Sequence, residues 1–424
     1  YKEIYFGSDN NLLHGHNSFG EELAGFPFQS TDRIRSSPAI GDVDNDGQME
    51  IVFGNSSGKL YIINQDGSQQ LAYTQLGFIE GAPALVDIDG DQDLEIIFTT
   101  TTGSGGQVYV IHHNGATESG FPKEIGSMFA GPAVHDLDND GVVDVVCVTY
   151  DKEIYVIEAI GGAIKSGFPF TAESRFSMPA TIVDVDSDGD YEIAAGCNSG
   201  DLYVLHHDGV IHSQYDTGDD IRGGISVCDL NNDGQLDLLF GGYDDRIHVW
   251  DPMAGELLPG WPVDLGYNSL SEPVIADLDG DGQVEVLAAR KTGKIFAYES
   301  DGTLMGNFPI PVDGSIESSP VIEDIDGDGD LELIIGTTAG LEVIDIKFDA
   351  ELMDSWSMYR GTMHRAGVYD ASVMTVGGQE SIIPAQFYVS DNYPNPFNPT
   401  TNFYIDVPES GNLLVRVYDV NGRL

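Results

Sequence analysis

Residues 41–54 read GDVDNDGQMEIVFG: Asp42, Asp44, Asp46 and Glu50 put four carboxylates into nine residues, and an apolar run follows at once. Like charges this close repel unless a cation lies between them. The pattern returns as DIDGDQDLE from Asp87, DLDNDGVVD from Asp136, DVDSDGDYE from Asp184, DLNNDGQLD from Asp229, DLDGDGQVE from Asp277 and DIDGDGDLE from Asp324. Successive starts are 45, 49, 48, 45, 48 and 47 residues apart. A repeat of that length with no helical periodicity predicts an all-β propeller, one four-stranded blade per repeat.

Each repeat carries the same parts. A first strand often opens on a small residue and Pro, as in SSPAIGD and GAPALVD. The acidic loop follows, then an almost wholly apolar second strand such as EIVFG, DVVCV or ELIIG. Such runs suit strands buried on both faces, as stacked blades require. Third strands read KLYIIN, EIYVIE or RIHVWD, and several end in a Gly turn that favours a tight hairpin. Fourth, outer strands often begin Gly-Phe-Pro, where an edge position tolerates Pro. The N-terminal stretch EIYFGSDNNLLHGHNSFGEELAGFPF matches strands two to four and lacks a first strand and an acidic loop. Eight blades are therefore favoured over seven. The first strand of blade one is expected from DSWSMYRGTMHRAGVYD, after the last repeat, because joining the chain ends removes exposed edges.

Composition narrows the partners. Seventy acids against 18 bases give a net charge of −52, which argues against nucleic acid and anionic membrane. No stretch is long and apolar enough to span a bilayer, and YKEIYFGSDN contains no signal peptide or initiator Met, as expected of a mature form or a fragment. Cys147, Cys197 and Cys228 lie in or beside apolar runs and read as buried, inert thiols.

Within each loop the acids fall at positions 1, 3, 5 and 9. These are Asp42, Asp44, Asp46 and Glu50; Asp87, Asp89, Asp91 and Glu95; Asp136, Asp138, Asp140 and Asp144; Asp184, Asp186, Asp188 and Glu192. The last three sets are Asp229, Asn231, Asp233 and Asp237; Asp277, Asp279, Asp281 and Glu285; Asp324, Asp326, Asp328 and Glu332. Only Asn231 is uncharged, so these four positions in seven loops hold 27 of the 70 acids. Hard oxygens at this spacing suit Ca²⁺, whereas Mg²⁺ demands tighter octahedral geometry and retained water. Position 7 would add a backbone carbonyl, from Gln48, Asp93, Val142, Asp190, Gln235, Gln283 and Asp330. Gly usually fills position 6 and permits the sharp turn; Gln92 replaces it in the second loop, where strain is expected. The expectation is about seven Ca²⁺, each stapling two strands, with the Asn231 site the weaker.

These repeats resemble the FG-GAP or VCBS repeats of integrin α-type propellers over roughly residues 1–370. The resemblance implies a calcium-stabilised propeller, usually extracellular and often adhesive or carbohydrate-binding, with the acids above as ligands. Residues 371–385 read as a linker. Over 386–424, YPNPFNP followed by alternating strands resembles the C-terminal sorting domain of type IX secretion cargo in Bacteroidetes-like bacteria, in truncated, β-sandwich-like form. That resemblance implies export by the type IX machinery to the outer-membrane surface or beyond.

No catalytic constellation is present. His14-x-His16 could set two imidazoles on one strand face, and the His-His pairs at 112–113 and 206–207 fall at equivalent strand ends. A propeller binds ligands at the mouth of its channel, which the residues before each first strand should line: Arg35, Glu80, Phe129, Phe176, Arg222, Leu270 and Glu317. Two Arg, two Glu and two Phe could hold a sugar or a peptide, or satisfy one another. The expectation is a secreted, non-catalytic binding or adhesion module for a carbohydrate or protein. The alternatives are a propeller-type polysaccharide lyase or hydrolase, which would need a base beside a cationic clamp, and an accessory domain of a larger secreted enzyme.

Overall fold

The computed structural model describes residues 2–103, 105–349 and 356–369, together with the backbone of two short strands at 388–389 and 405–406. The chain divides into two units, Tyr1–Met374 and Thr375–Leu424. In the second, Tyr388–Val389 pairs with Ile405–Asp406. The linker and most of the sorting-domain segment, YPNPFNP included, lie outside the described residues.

Every regular element in the first unit is a strand, and the strands form eight sheets. Blade 2 shows the plan: Ala39–Gly41, Glu50–Gly54, Lys59–Asn64 and Gln69–Thr74 follow one another from the inside outwards, all antiparallel. One register governs the loops. The residue before position 1 pairs with the acid at position 9: Gly41 with Glu50, Val86 with Glu95, His135 with Asp144, Val183 with Glu192, Cys228 with Asp237, Ala276 with Glu285 and Glu323 with Glu332. Each acidic loop is therefore the tight connection between a first and a second strand.

The core lies between blades. Val52, Leu60 and Ile62 of blade 2 meet Ile96, Phe98 and Tyr109 of blade 3, and comparable clusters fill the other seams up to blade 8. The second strands are buried along their length, as their apolar runs predict. Cys147, Cys197 and Cys228 are buried and unbridged.

Among the described residues, blade 1 has no first strand. Its described strands are Glu3–Gly7, Leu12–Asn17 and Phe28–Gln29. The Lys2 N–H donates to the Ile325 carbonyl of blade 8 at 3.0 Å. Leu94 and Tyr191, also one residue before a second-strand Glu, donate in the same way to Val43 and Leu137 of the preceding blade at 3.2 and 2.8 Å. Lys2 also bridges Glu323. Blade 8 thus meets blade 1 through the same backbone bond that joins blade 3 to blade 2 and blade 5 to blade 4.

Residues 356–369, the described part of the segment expected to supply the first strand of blade 1, do not pair with blade 1. Residues 356–369 run along the channel side of the first strands instead. Ile40, Leu85, Val134, Ile182, Ile275 and Ile322, the middle residues of six first strands, donate their N–H to the carbonyls of Met363, His364, Ala366, Gly367, Trp356 and Ser357 at 2.9–3.0 Å. Those N–H groups lie on the inner edge of each blade, and an unpaired buried N–H is costly. The segment 356–369, which turns at Met358–Gly361 and Thr362–Arg365, supplies carbonyls around the ring and satisfies them. Val368–Tyr369 also pairs, in parallel, with Thr181–Val183.

Candidate metal loops and the opposite face

Each acidic loop is shaped by its own carboxylates before any ion is considered. The position 9 carboxylate accepts the N–H of position 2 in all seven loops, at 2.7–3.3 Å: Glu50 from Val43, Glu95 from Ile88, Asp144 from Leu137, Glu192 from Val185, Asp237 from Leu230, Glu285 from Leu278 and Glu332 from Ile325. Position 1 accepts from the turn, as Asp42 does from Asp46 and Gly47 and Asp229 does from Asp233 and Gly234. Position 5 accepts from position 7, as Asp46 does from Gln48. Gly47 turns with φ of 86°, and Gln92 is forced to φ of 77°, the left-handed region a side chain disfavours. A second left-handed residue sits at position 4, where Asn45, Asn139, Ser187 and Asn232 have φ between 51° and 58°. The signal was legible: position 4 is Asn, Gly or Ser in every loop.

The donor chemistry fits a hard cation. All seven position 9 acids are at most 4% exposed. With no ion beside them, burial pushes Glu50, Glu192, Asp237 and Glu332 up to about 7 and Glu285 to about 8. Asp44 Oδ1, Asp144 Oδ1 and Asp184 Oδ1 are buried without a hydrogen-bond partner, and an orphaned carboxylate oxygen has a lone pair free to accept a cation or a donor. Asp42, Asp44 and Glu50 bring oxygens within 4.8 Å of one another, as do Asp87, Asp89 and Asp91, and Asp136, Asp138 and Asp140. Imidazoles join two loops: His112 meets Glu95 at 2.9 Å and His206 meets Glu192 at 3.1 Å, with His113 on Asp93 and His207 on Asp190. In the 136–144 loop a lysine enters. Lys165 Nζ lies 2.7 Å from both Asp138 Oδ1 and Asp144 Oδ2. Burial raises Asp144 only to about 6, against about 7 for Asp237 at the same position without a lysine.

Blade 1, without an acidic loop, gathers a different set. His14, His16 and Glu22 place ligand atoms within 4.8 Å. His16 and Glu22 form a β-bridge, and Phe6 stacks on both imidazoles.

The residues expected at the channel mouth lie at the ends of the strands opposite the acidic loops. Residues 356–369 occupy the channel side of the first strands, and three of the expected residues come together: Glu80 and Glu317 lie near enough to Arg35 for their charge to add to the Asp9 hydrogen bond in raising its pKa. Arg360 is 1% exposed, and its guanidinium donates to the carbonyls of Ala180, Pro132 and Ala366. Glu272 accepts from Trp356 Nε1 and the Arg360 N–H.

Phe176 is not at the mouth. It is 1% exposed and bridges to Cys197. It lies five residues before its first strand, as the buried Ile34 does, whereas Arg35 lies four before its own. Pro179 sits one residue further from the strand than Pro38, so alignment on Pro shifts this blade by one position. The remaining residues pair locally. Arg35 bonds Asp9 at 3.1 Å, Glu317 bonds Lys291 at 2.8 Å, and Glu80 and Leu270 are half-buried. Phe129, 37% exposed, packs on Tyr150 with centroids 4.7 Å apart, and Arg175 covers the same ring at 5.1 Å. Arg222 covers Tyr243 at 5.1 Å. Tyr150, Tyr243 and Lys291 were missed from sequence. They occupy one repeat position, just after the second strand, where the backbone N–H bonds the carbonyl of a residue preceding the first strand.

A family model for FG-GAP-like repeats matches residues 42–98, 87–147, 229–288 and 277–335, which together span just over half of the chain. No curated protein sequence is detectably similar. Several solved structures share the fold. The Vibrio cholerae biofilm matrix protein Bap1 is 13% identical, with a TM-score of 0.63 over 87% of this chain and 89% of that one. BamB from Moraxella catarrhalis is 16% identical, with a TM-score of 0.57 over 82% and 98%. Quinohemoprotein alcohol dehydrogenase from Comamonas testosteroni is 12% identical, with a TM-score of 0.60 over 83% and 74%. These identities speak for the fold alone. The repeats, their single register and the matched windows agree, and the chain belongs to the FG-GAP-like repeat family as an eight-bladed β-propeller.

Proposed function

We propose that this protein is a calcium-stabilised, non-catalytic binding module that works outside the cell. One observation carries the reading: seven loops with one hydrogen-bond template each bury a carboxylate behind clustered acids. Aspartates and glutamates arranged so repeatedly gain stability only when a cation relieves their repulsion. The ions would be held by positions 1, 3, 5 and 9 and the position 7 carbonyl, with structural work as their role. The opposite face is left for a ligand. There Phe129, Tyr150 and Arg175, and Arg222 with Tyr243, offer aromatic planes beside planar cations, which suit stacking on sugar rings or peptide side chains. The fold likeness to a biofilm matrix protein is in keeping with this. The YPNPFNP tail reads as a type IX export address, and millimolar calcium outside a cell fills even weak sites. Among the described residues, no helix is long and apolar enough to cross a membrane.

A glycan array probed with and without calcium tests the reading, alongside an Arg222→Ala, Tyr243→Ala double variant. Binding that needs the double site and survives single-loop Asp→Ala changes in a folded protein supports it. Binding lost on a single Asp→Ala change would mean that a metal bridges the ligand.

A further inference from the structure

The 136–144 loop differs from its relatives in one respect that the repeat cannot explain. Lys165, on the path from the third to the fourth strand of the same blade, buries its side chain to 11% exposure. The backbone fixes this approach, since the Lys165 N–H donates to the Val156 carbonyl at 2.9 Å. Its ammonium stands 2.7 Å from Asp138 at position 3 and 2.7 Å from Asp144 at position 9, whose side chain is fully buried. A calcium ion would have to bind those same two carboxylates. In the loops at 42, 87, 184, 229 and 277, among the described residues, no Lys or Arg lies within ion-pair distance of these positions. The corresponding place in blade 2 holds neutral Gln70, whose amide reaches Asp44.

We infer that Lys165 takes the place of the metal in the 136–144 loop, so the protein binds one calcium ion fewer than it has acidic loops. This rests on the calcium reading of the other loops. The physical reason is electrostatic exclusion. A buried ammonium hydrogen-bonded to two carboxylates neutralises part of the loop, and a divalent cation arriving there meets a like charge at contact distance. The loop stays folded when calcium is absent.

The test uses the full chain, with calcium itself as the probe, counted by metal analysis after equilibrium dialysis. The parent is expected to hold about six ions and Lys165→Met about seven, the methionine keeping the aliphatic bulk while removing the charge. Lys165→Arg is expected to hold the parent's number. In chelator, Lys165→Met should melt below the parent, and calcium should close the gap. Seven ions in the parent would overturn the lysine assignment alone and leave the calcium reading standing. A parent with no ions and a variant with one would overturn the calcium reading for the other loops and keep the assignment. No gain in Lys165→Met, or a variant that stays unfolded in calcium, would overturn the assignment whatever the parent binds.

Discussion

The acidic loops and the segment at 356–369 both bury charge, and they resolve it in opposite ways. Each loop is closed within nine residues, by carboxylates that accept the loop's own N–H groups. What the loops at 42, 87, 184, 229 and 277 lack, among the described residues, is a lysine or arginine countercharge of the kind Lys165 gives the 136–144 loop. Arg360 lacks nothing: three carbonyls take its guanidinium, from Pro132, Ala180 and Ala366. Two of those partners come from other blades, 228 and 180 residues away in the chain. A local motif can therefore repeat seven times and still depend on an ion, whereas a single long-range contact set holds without one. The loops are expected to answer to metal, and the channel segment to sequence.

Chelation should have the largest effect. Each ion bound only by the folded state adds about 2.7 kcal/mol at a hundredfold excess over its Kd, and several act together. Adding EGTA should lower Tm steeply, with recovery in Ca²⁺ and none in Na⁺. An unchanged Tm would erase the contrast between loops and segment.

Arg360→Met comes next. It removes three carbonyl contacts and takes from Glu272, already raised to about 7 by burial, the nearer of two positive charges, leaving Arg365. Breaking a buried charge system in this way costs about 3–5 kcal/mol. Denaturant midpoints should fall by the same amount in saturating calcium and in EGTA, because the groups that Arg360 bonds include no loop carboxylate. A loss that appears only in EGTA would show that the segment and the loops are coupled.

A pH series sharpens the loop side. In chelator, Glu50, Glu192 and Glu332 sit at about 7 and Glu285 at about 8, burial being the main cause, against an ordinary 4.5. The folded state then holds protons more tightly than the unfolded chain. That stability is fully present below about pH 4.5 and is lost as pH rises through about 7 to 8. The chelated protein should melt lower at pH 8 than at pH 5, and calcium should flatten the trend by displacing those protons. A chelated Tm that rises over this range would mean that the position 9 acids are not the groups in control.

The smallest effect is expected on the opposite face. Arg222→Ala should change stability by no more than about 0.5 kcal/mol, since it removes a half-exposed pair with Asp220 and a stack on Tyr243. Calcium content should be unchanged. A large stability loss would show that this pair holds the fold and is not free for a ligand.

Spacing in the sequence was enough for the repeat, the blades, the buried second strands and the loop positions, because these follow from short-range rules. Turn geometry restricts positions 4 and 6, strand pairing fixes position 9 opposite the residue before position 1, and alternation decides which side chains face the next blade. Tertiary structure decided the rest. At the ring closure Lys2 donates to Ile325, and six first strands give their inward N–H groups to carbonyls of 356–369. Neither contact leaves a mark in local pattern, since backbone groups carry no residue code. Phe176 moved from mouth to core through a one-residue difference in spacing before its strand. Lys165 reaches Asp138 and Asp144 across 27 and 21 residues, a meeting fixed only when the third and fourth strands fold back over the loop.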